Sequence, residues 1–100
     1  MSDDKRRDAL RQANQIRRLR ANDKALIRAR SIDPRAILIN PPDHWKAARI
    51  AYLLRSVPGV GRIKVDRILE TQGVSPVKTI SGLTPQQRQR LSDSLDRYYA

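Results

Sequence analysis

The sequence predicts an all-α protein in which a long basic helix precedes a small globular part of four helices. Residues 4–30 contain neither Pro nor Gly and are rich in residues that favour helices. Beyond them, Pro and Gly divide the chain into short segments with a helical spacing of apolar residues. No segment with strand-like composition has a neighbouring partner strand. We therefore divide the chain into an N-terminal arm, residues 1–30, and a globular domain, residues 31–100.

The charge balance favours a polyanionic partner. Lys and Arg number 21 against 10 acidic residues, which gives a net charge of +11. Such an imbalance says nothing about the fold, but it indicates nucleic acid first and an anionic membrane surface second. No run approaches the roughly 18 apolar residues of a membrane span, and the N-terminus has no signal-peptide core. With no Cys in the chain, we expect a cytoplasmic protein without disulfides.

The N-terminal arm is predicted to be one helix from Asp4 to Ala29. Large apolar residues are sparse in its first half, so we expect firm packing only near its end, around Leu19, Leu26 and Ile27. Residues 3–30 carry ten basic and four acidic side chains, a net +6. Such a charge run is commonly a solvated helix face without a function. The alternative is an arm that lies along phosphates and becomes ordered on binding.

A short helix and a longer one are predicted next. Asp33 as N-cap and Pro34 at the first helical position predict a helix within Ser31–Asn40. The next helix is expected to run unbroken over Asp43–Ser56, capped by Asp43. Its broad apolar face predicts that Trp45 belongs to the core instead of stacking on a base.

A glycine hairpin separates that helix from the one that follows. Pro58 stops the first helix, and both Gly59 and Gly61 can take positive φ without a Cβ clash, so the chain can turn sharply. The next helix begins at about Arg62, where unpaired N–H groups and the helix dipole favour an anion. The cations Arg62, Lys64 and Arg67 reinforce a phosphate site. The alternative is an ordinary glycine turn between packed helices.

The remaining segments are predicted as two more helices and a linker. Arg62–Gln72 is helical, with Ile63 among the side chains that face the core, and Gly73 ends it. In the linker over 74–83, Val77 and Ile80 are expected to point inward. Thr84, Pro85 and Gln87 form a capping box at the start of a last helix over Pro85–Tyr99.

Catalysis has little support in this sequence. His44, the only histidine, lacks the partners of a metal site or a catalytic group, and we expect it at the surface beside an N-cap. The glycine hairpin lacks the spacing and the Gly-Lys-Ser/Thr end of a nucleotide-binding P-loop. We therefore predict no enzyme activity, no metal and no cofactor.

The hairpin and its flanks resemble a known DNA-binding group. Leu53 to Lys64, followed by Ile68-Leu69, is similar to the helix-hairpin-helix and helix-two-turns-helix elements. The order of features along the chain resembles the actinobacterial integration host factor family. The features that carry this resemblance are the Arg/Ala-rich first helix, Tyr52-Leu53-Leu54, the Pro58-Gly59-Val60-Gly61 loop, Gly73 to Pro76, and Gly82-Leu83 before a Gln/Arg-rich last helix.

The resemblance implies a small nucleoid-associated protein. Members bind double-stranded DNA with little sequence preference, bend or constrain it, and assist site-specific recombination by phage integrases. By position, Lys78 falls where the family carries a cluster of arginines. Only this one cation remains between residues 77 and 81, which implies either a weaker second phosphate contact or a divergent, phage-borne member. Pro41-Pro42 also departs from the family pattern.

The resulting hypothesis is a DNA-architectural protein that is a monomer in solution and acts in the nucleoid. Two rivals remain open: an RNA or ribosome binder that uses the same hairpin, and a protein-binding subunit of a recombination or replication complex. The residues predicted to contact DNA are Pro58, Gly59, Val60, Gly61, Arg62, Lys64, Arg67 and Lys78, with Arg17, Arg18, Arg20, Lys24 and Arg28 of the N-terminal arm.

Overall fold

All regular secondary structure in the computed structural model is helical, and the structure describes residues 3–99. Met1, Ser2 and Ala100, the outer ends of the two predicted units, lie outside the described residues. Two short 3-10 helices, Ile80–Gly82 and Asp96–Tyr98, accompany six α-helices. The α-helices are α1 (Asp3–Arg28), α2 (Pro34–Ile39), α3 (Asp43–Lys46), α4 (Ile50–Arg55), α5 (Arg62–Gln72) and α6 (Pro85–Leu95). The all-α prediction is confirmed.

Helix α1 gives the molecule its long axis. Its 26 residues span about 39 Å at 1.5 Å per residue, in a molecule that measures 48 × 28 × 24 Å. Residues 3–12 are exposed, and Ile27 is the buried residue of the helix. The expectation that Leu19 packs firmly is wrong: its side chain is 41% exposed. In this part of α1 the polar residues Arg20 and Asp23 face α3, where they bind His44 and Trp45, so Leu19 lies to one side of the contact.

The predicted start of α2 is confirmed. Asp33 has extended backbone geometry, and its Oδ1 accepts from the N–H of Arg35 at 2.9 Å. Pro34 occupies the first turn and is buried. Helix α2 then packs against α6, so a six-residue helix is held by tertiary contacts that its own length does not provide.

The prediction of one helix over Asp43–Ser56 is wrong, because the chain breaks between α3 and α4. The carbonyl of Ala48 accepts from Ile80 N at 2.9 Å, and Ile50 N donates to the carbonyl of Lys78 at 2.8 Å. These long-range bonds use backbone groups that a continuous helix would pair internally. Arg49 and Thr79 consequently face each other as an isolated antiparallel bridge.

The N-cap of α3 also differs from the prediction. Pro42 holds the capping position without a side-chain hydrogen bond. The carboxylate of Asp43 instead binds Lys46 Nζ at 2.9 Å, one turn further on. The pKa of Asp43 is lowered, mainly by this hydrogen bond from Lys46.

One apolar core joins all six helices, and Trp45 is fully buried in it, as predicted. Its main members are Ile27 from α1, Ile37 and Leu38 from α2, Trp45 from α3, Ile50, Leu53 and Leu54 from α4, Val65 and Leu69 from α5, and Leu91 and Leu95 from α6. None of the helices within residues 3–99 combines the length and apolar character that crossing a bilayer demands.

Two apolar residues expected in the core are exposed. Ile63 is 76% exposed because it lies two residues before Val65, more than half a helical turn from the buried face of α5. Val77 is 59% exposed. Ile80, which is fully buried, anchors this linker instead, together with the backbone bonds of Pro76 and Lys78 to α4.

The ends of α5 and the start of α6 follow the sequence signals. Gly73 ends α5 in the left-handed region at φ 67°. Thr84 accepts from Gln87 N at 3.1 Å, and Gln87 Oε1 accepts from Thr84 N at 2.9 Å. This reciprocal pair is the predicted capping box.

Candidate nucleic-acid interface

The hairpin between α4 and α5 is held by buried valines on both sides of an exposed turn. Val57 and Val60 are 2% and 5% exposed, and the N–H of Val60 donates to the carbonyl of Val57 at 3.1 Å. Gly59 between them adopts a positive φ of +83°. Gly61 does not: its φ of −86° and ψ of 178° are ordinary extended backbone. The sharp turn is therefore made by Gly59 alone, and Gly61 serves as the N-cap of α5.

The backbone donors of this hairpin lie in exposed residues and are not used by the fold. Residues 59 and 61–64 are exposed, and α5 has no side-chain cap at its N-terminus. Within the described part of the chain, no acceptor receives the N–H groups of Gly59, Gly61, Arg62, Ile63 and Lys64. Val60, whose N–H is occupied, contributes to the hairpin by packing. Five unpaired donors at the positive end of a helix are suited to an oxyanion.

The C-terminal segment packs against the hairpin. Lys64 Nζ donates to the carbonyl of Gly59 at 3.1 Å and lies 5.6 Å from the ring centroid of Tyr98. The carbonyl of Tyr98 accepts from Arg30 at 2.7 Å. Sequence reasoning missed Tyr98 and Arg30, because their relation to the hairpin depends on contacts separated by more than 30 residues.

Three cations surround this end of α5. Arg62, Lys64 and Arg67 are exposed on its first two turns, as predicted. Lys64 and Arg67 also line a groove whose opposite side contains Arg97, which sequence reasoning did not single out. The hairpin donors and these side chains form one positive surface, the hairpin patch, defined here by residues 58–64 with Arg67.

Lys78 lies apart from the hairpin patch. Its carbonyl binds the first residue of α4, Ile50, whereas the hairpin follows the last residue of the same helix. The bridge between Arg49 and Thr79 places the backbone of a second exposed cation beside Lys78. The backbone of Arg49, from a distant part of the sequence, thus lies next to the segment where the family resemblance implies an arginine cluster.

The arm residues are divided between docking and solvent. Arg20 Nε donates to the carbonyl of His44, and Lys24 Nζ lies 5.0 Å from the centroid of the Tyr52 ring on α4. Arg17, Arg18 and Arg28 are exposed on α1. The structure thus brings Lys24 alongside α4, while Arg17 and Arg18 lie two turns further from the body.

His44 is not the free surface residue that was expected. Its side chain is only 19% exposed, and Nε2 lies 2.6 Å from Asp23 Oδ2. The indole N–H of the buried Trp45 donates to the same carboxylate oxygen at 2.8 Å. Asp23 thereby ties α1 to α3. The sequence held no local signal for this contact, because His44 and Trp45 lie 21 and 22 residues after Asp23 in the chain.

Other arginines have structural partners away from the hairpin. Arg35 binds both carboxylate oxygens of Asp33 and also Asp96, at 2.7 and 2.8 Å. The side-chain hydrogen bond from Arg35 holds the pKa of Asp33 below its usual value. Arg88 donates to carbonyls of Leu83, Leu38 and Ser81. The net charge of the chain therefore overstates the charge directed to a partner.

Comparisons with known proteins agree with this geometry. The family profile of the S13-like H2TH domain matches residues 45–95. A solved structure of similar fold is that of sIHF bound to an 8-base-pair palindromic DNA. Its alignment has 25% identity and a TM-score of 0.72, and covers 90% of this chain and 99% of that one. The search of curated proteins found no match. The resemblance to integration host factor is thereby supported, and this chain belongs to the S13-like H2TH domain family.

Proposed function

We propose that this protein binds the phosphate backbone of double-stranded DNA and acts as an architectural protein without catalytic activity. The observation that carries the proposal is the set of unpaired N–H groups at the exposed residues Gly59 and 61–64, with the exposed cations of the first turns of α5. A similar fold is known bound to DNA, in the sIHF structure.

The hairpin patch is suited to a phosphate in two ways. Its backbone donors are fixed in direction by the buried valines of the hairpin, so little ordering is needed when an oxyanion binds. Arg62 adds a planar side chain with several donors, which suits phosphate recognition. Contacts of this kind position a protein on the duplex but carry no sequence information, so we expect low sequence preference.

Bending requires contacts at more than one place along the duplex. The hairpin patch lies at one end of α4, and Lys78 with Arg49 lies at the other. Arg17, Arg18, Lys24 and Arg28 add a positive surface along α1. If separate phosphates engage these surfaces, the gain in contacts offsets the cost of deforming the duplex. We therefore propose that the protein bends or constrains DNA.

A role in site-specific recombination with a phage integrase, and a place in the nucleoid, follow from the same proposal. A bent duplex brings distant recombination sites together without a sequence-specific contact. We propose that the protein is a monomer in solution and that it bends the duplex when it binds. Stimulation of integrase recombination on a supercoiled substrate tests the role, and Lys64→Glu is the variant expected to abolish it.

The decisive experiment is a binding titration on random duplex across a salt series. If roughly five to eight phosphates are neutralised, log K falls with log salt with a slope on the order of −5 to −7. A duplex labelled at both ends for energy transfer reports the bend in the same titration. A dissociation constant that does not change with salt would overturn the proposal.

Competition separates this function from its rivals. Structured RNA that displaces duplex DNA at a lower concentration than DNA itself would favour an RNA-binding function. Association with a recombinase that survives nuclease treatment would favour a protein-binding subunit. We expect neither outcome, because the solved structure of similar fold, sIHF, is bound to double-stranded DNA.

A further inference from the structure

A groove beside the hairpin patch has the features of a separate anion site. It lies between α5 and the C-terminal segment and has a volume of about 390 Å³. Cavities that bind small molecules typically have volumes of about 300 to 1,000 Å³. The groove is thus large enough for a ligand and is not required by the packing of the core.

The charge of the groove is of one sign. Lys64 and Arg67 line it from α5, Arg97 lines it from the opposite side, and none of its lining residues is acidic. Among residues 3–99, the ion pairs of the structure do not include these three cations. Three positive groups around one cavity repel each other, and an anion between them converts this repulsion into attraction.

The floor of the groove is polar and incompletely paired. Gln72 Nε2 donates to Ser94 Oγ, which in turn donates to the carbonyl of Arg90. The other amide atom, Gln72 Oε1, is buried and has no hydrogen-bond partner among the described residues. Buried acceptors are normally paired, so a rotation of the Gln72 side chain that turns Oε1 into the groove would let a ligand N–H or O–H supply the missing donor. The aliphatic side chain of Ile68 completes the lining.

We propose that this groove binds a phosphorylated ligand of nucleotide size. Lys64, Arg67 and Arg97 hold the phosphate, and the amide of Gln72 contacts the polar edge of the remainder. The ligand is either a free nucleotide or a nucleotide unit of a nucleic-acid strand. Because Lys64 and Arg67 also belong to the hairpin patch, a free ligand in the groove competes with duplex DNA for the same cations. As a site for a free nucleotide, the groove does not depend on the proposed DNA-binding function; as a site for a strand, it rests on that function.

The first test titrates the full chain separately with ADP, inorganic pyrophosphate and adenosine. Calorimetry and amide chemical shifts monitor each titration. We expect ADP to saturate about one site per chain, with shifts confined to α5, α6 and residues 96–99. Pyrophosphate is expected to bind more weakly and adenosine not to bind. Shifts that spread over the N-terminal arm without saturation would mean general attraction to a basic protein and would overturn the proposal.

The second test uses a matched pair of variants. Arg97→Ser removes a cation that lines the groove, and Arg90→Ser removes the same charge from an exposed position of α6 that does not line it. We expect Arg97→Ser to weaken ADP binding by about tenfold and Arg90→Ser by less than about twofold. Equal losses in the two variants would overturn the proposal. Thermal unfolding of both variants checks that each is folded.

A third measurement identifies the source of the nucleotide. A 5′-phosphorylated tetrathymidylate is titrated in place of ADP, with the same two variants. Binding of ADP that depends on Arg97 supports a free ligand, and binding of the oligonucleotide alone that depends on Arg97 supports a strand. If neither depends on Arg97, the groove is not the site. Duplex binding is measured separately with Arg62→Gln, so loss of one function is distinguished from loss of the other.

Discussion

The ring of Tyr98 lies directly against Gly59. A Cβ atom added to Gly59 would lie 3.4 Å from Cδ1 and 3.6 Å from Cε1 of that ring. Lys64 closes the contact, because its ammonium group binds the Gly59 carbonyl and lies over the same ring. Tyr98, in the C-terminal 3-10 helix, thus holds the hairpin in position, although Gly59 lies 39 residues earlier in the sequence. The shape of the hairpin patch is therefore a tertiary property and does not come from the glycines alone.

The two glycines of the hairpin are predicted to respond differently to alanine. Gly59→Ala forces a Cβ into a left-handed conformation at φ +83°, which costs about 1–2 kcal/mol. At about 4–8 °C per kcal/mol for a domain of this size, thermal unfolding by circular dichroism should detect the change easily. We also expect weaker binding to all duplex sequences alike, because the hairpin donors lose their directions.

Gly61→Ala is the matched control for that substitution. Its φ is negative, and an added Cβ would have no atom within 4 Å. We expect its melting temperature to fall by less than that of Gly59→Ala, because the poorer N-cap propensity of alanine is offset by the lower entropy of the unfolded chain. If both variants lose the same stability, the left-handed turn at Gly59 is not what the hairpin requires.

Arg62→Gln is predicted to reduce the salt dependence of DNA binding. If Arg62 neutralises one phosphate, its loss lowers the magnitude of the log K against log salt slope by about 1, equally on every sequence. Arg90→Gln is the control, because Arg90 lies beside the far end of α5, where its carbonyl binds Gln72. The measurement is fluorescence anisotropy on two unrelated duplexes. A loss that differs strongly between the duplexes would indicate base contacts and contradict backbone recognition.

Asp23→Ala is predicted to destabilise the fold and to release α1. The substitution removes the acceptor of the Trp45 indole N–H, which is buried, and of His44. Leaving a buried donor without a partner costs about 1–3 kcal/mol. Urea unfolding measures this loss, and faster amide exchange over the last turns of α1 reports its release. Asp8→Ala, an exposed site on the same helix, is expected to change stability by less than about 0.5 kcal/mol.

The same contact limits how the N-terminal arm can be tested. A truncation that removes residues 1–24 would also remove Asp23 and Arg20, so a loss of DNA binding could reflect unfolding. Removing residues 1–12 deletes only the exposed start of the arm and Met1 and Ser2. We expect this shorter form to remain folded, as circular dichroism will show.

Local chemistry explains which parts of the fold were predictable. The caps at Asp33, Thr84 and Gly73, and the start of α5 at Arg62, depend on residues close in sequence, and all were confirmed. The break between α3 and α4 was not predictable, because residues 47–49 favour a helix by composition. The break depends on the long-range bonds of Ile80 to Ala48 and of Lys78 to Ile50. The exposure of Ile63 likewise depends on how α5 is rotated against the core.

The candidate site also has a part that the sequence predicts and a part that it does not. The unpaired donors and the cations of α5 follow from the glycine hairpin and the start of a helix, which are sequence signals. Tyr98, Arg30, Arg97 and Arg49 join the site only through long-range contacts. The sequence did not show which of the two glycines makes the turn, because glycine permits positive φ without requiring it.

Stability is predicted to depend on pH through Asp33. Hydrogen bonds from Arg35 lower its pKa in the folded protein, below the value of about 3.9 in an unfolded chain. Its contribution is therefore fully present above about pH 4 and is lost as the pH falls through the folded pKa. Because the Asp33 side chain is 40% exposed, screening should limit this contribution to less than about 1 kcal/mol.

Asp33→Asn isolates that charge, since asparagine is also a good N-cap and preserves the start of α2. We expect the variant to be slightly less stable than the wild type at pH 7 and the difference to be smaller near pH 2, as measured by urea unfolding at both pH values. Added salt should reduce the difference at pH 7, because it screens the pair of Asp33 with Arg35. A difference of the same size at both pH values would mean that the amide disturbs the cap, and that the charge of Asp33 contributes nothing.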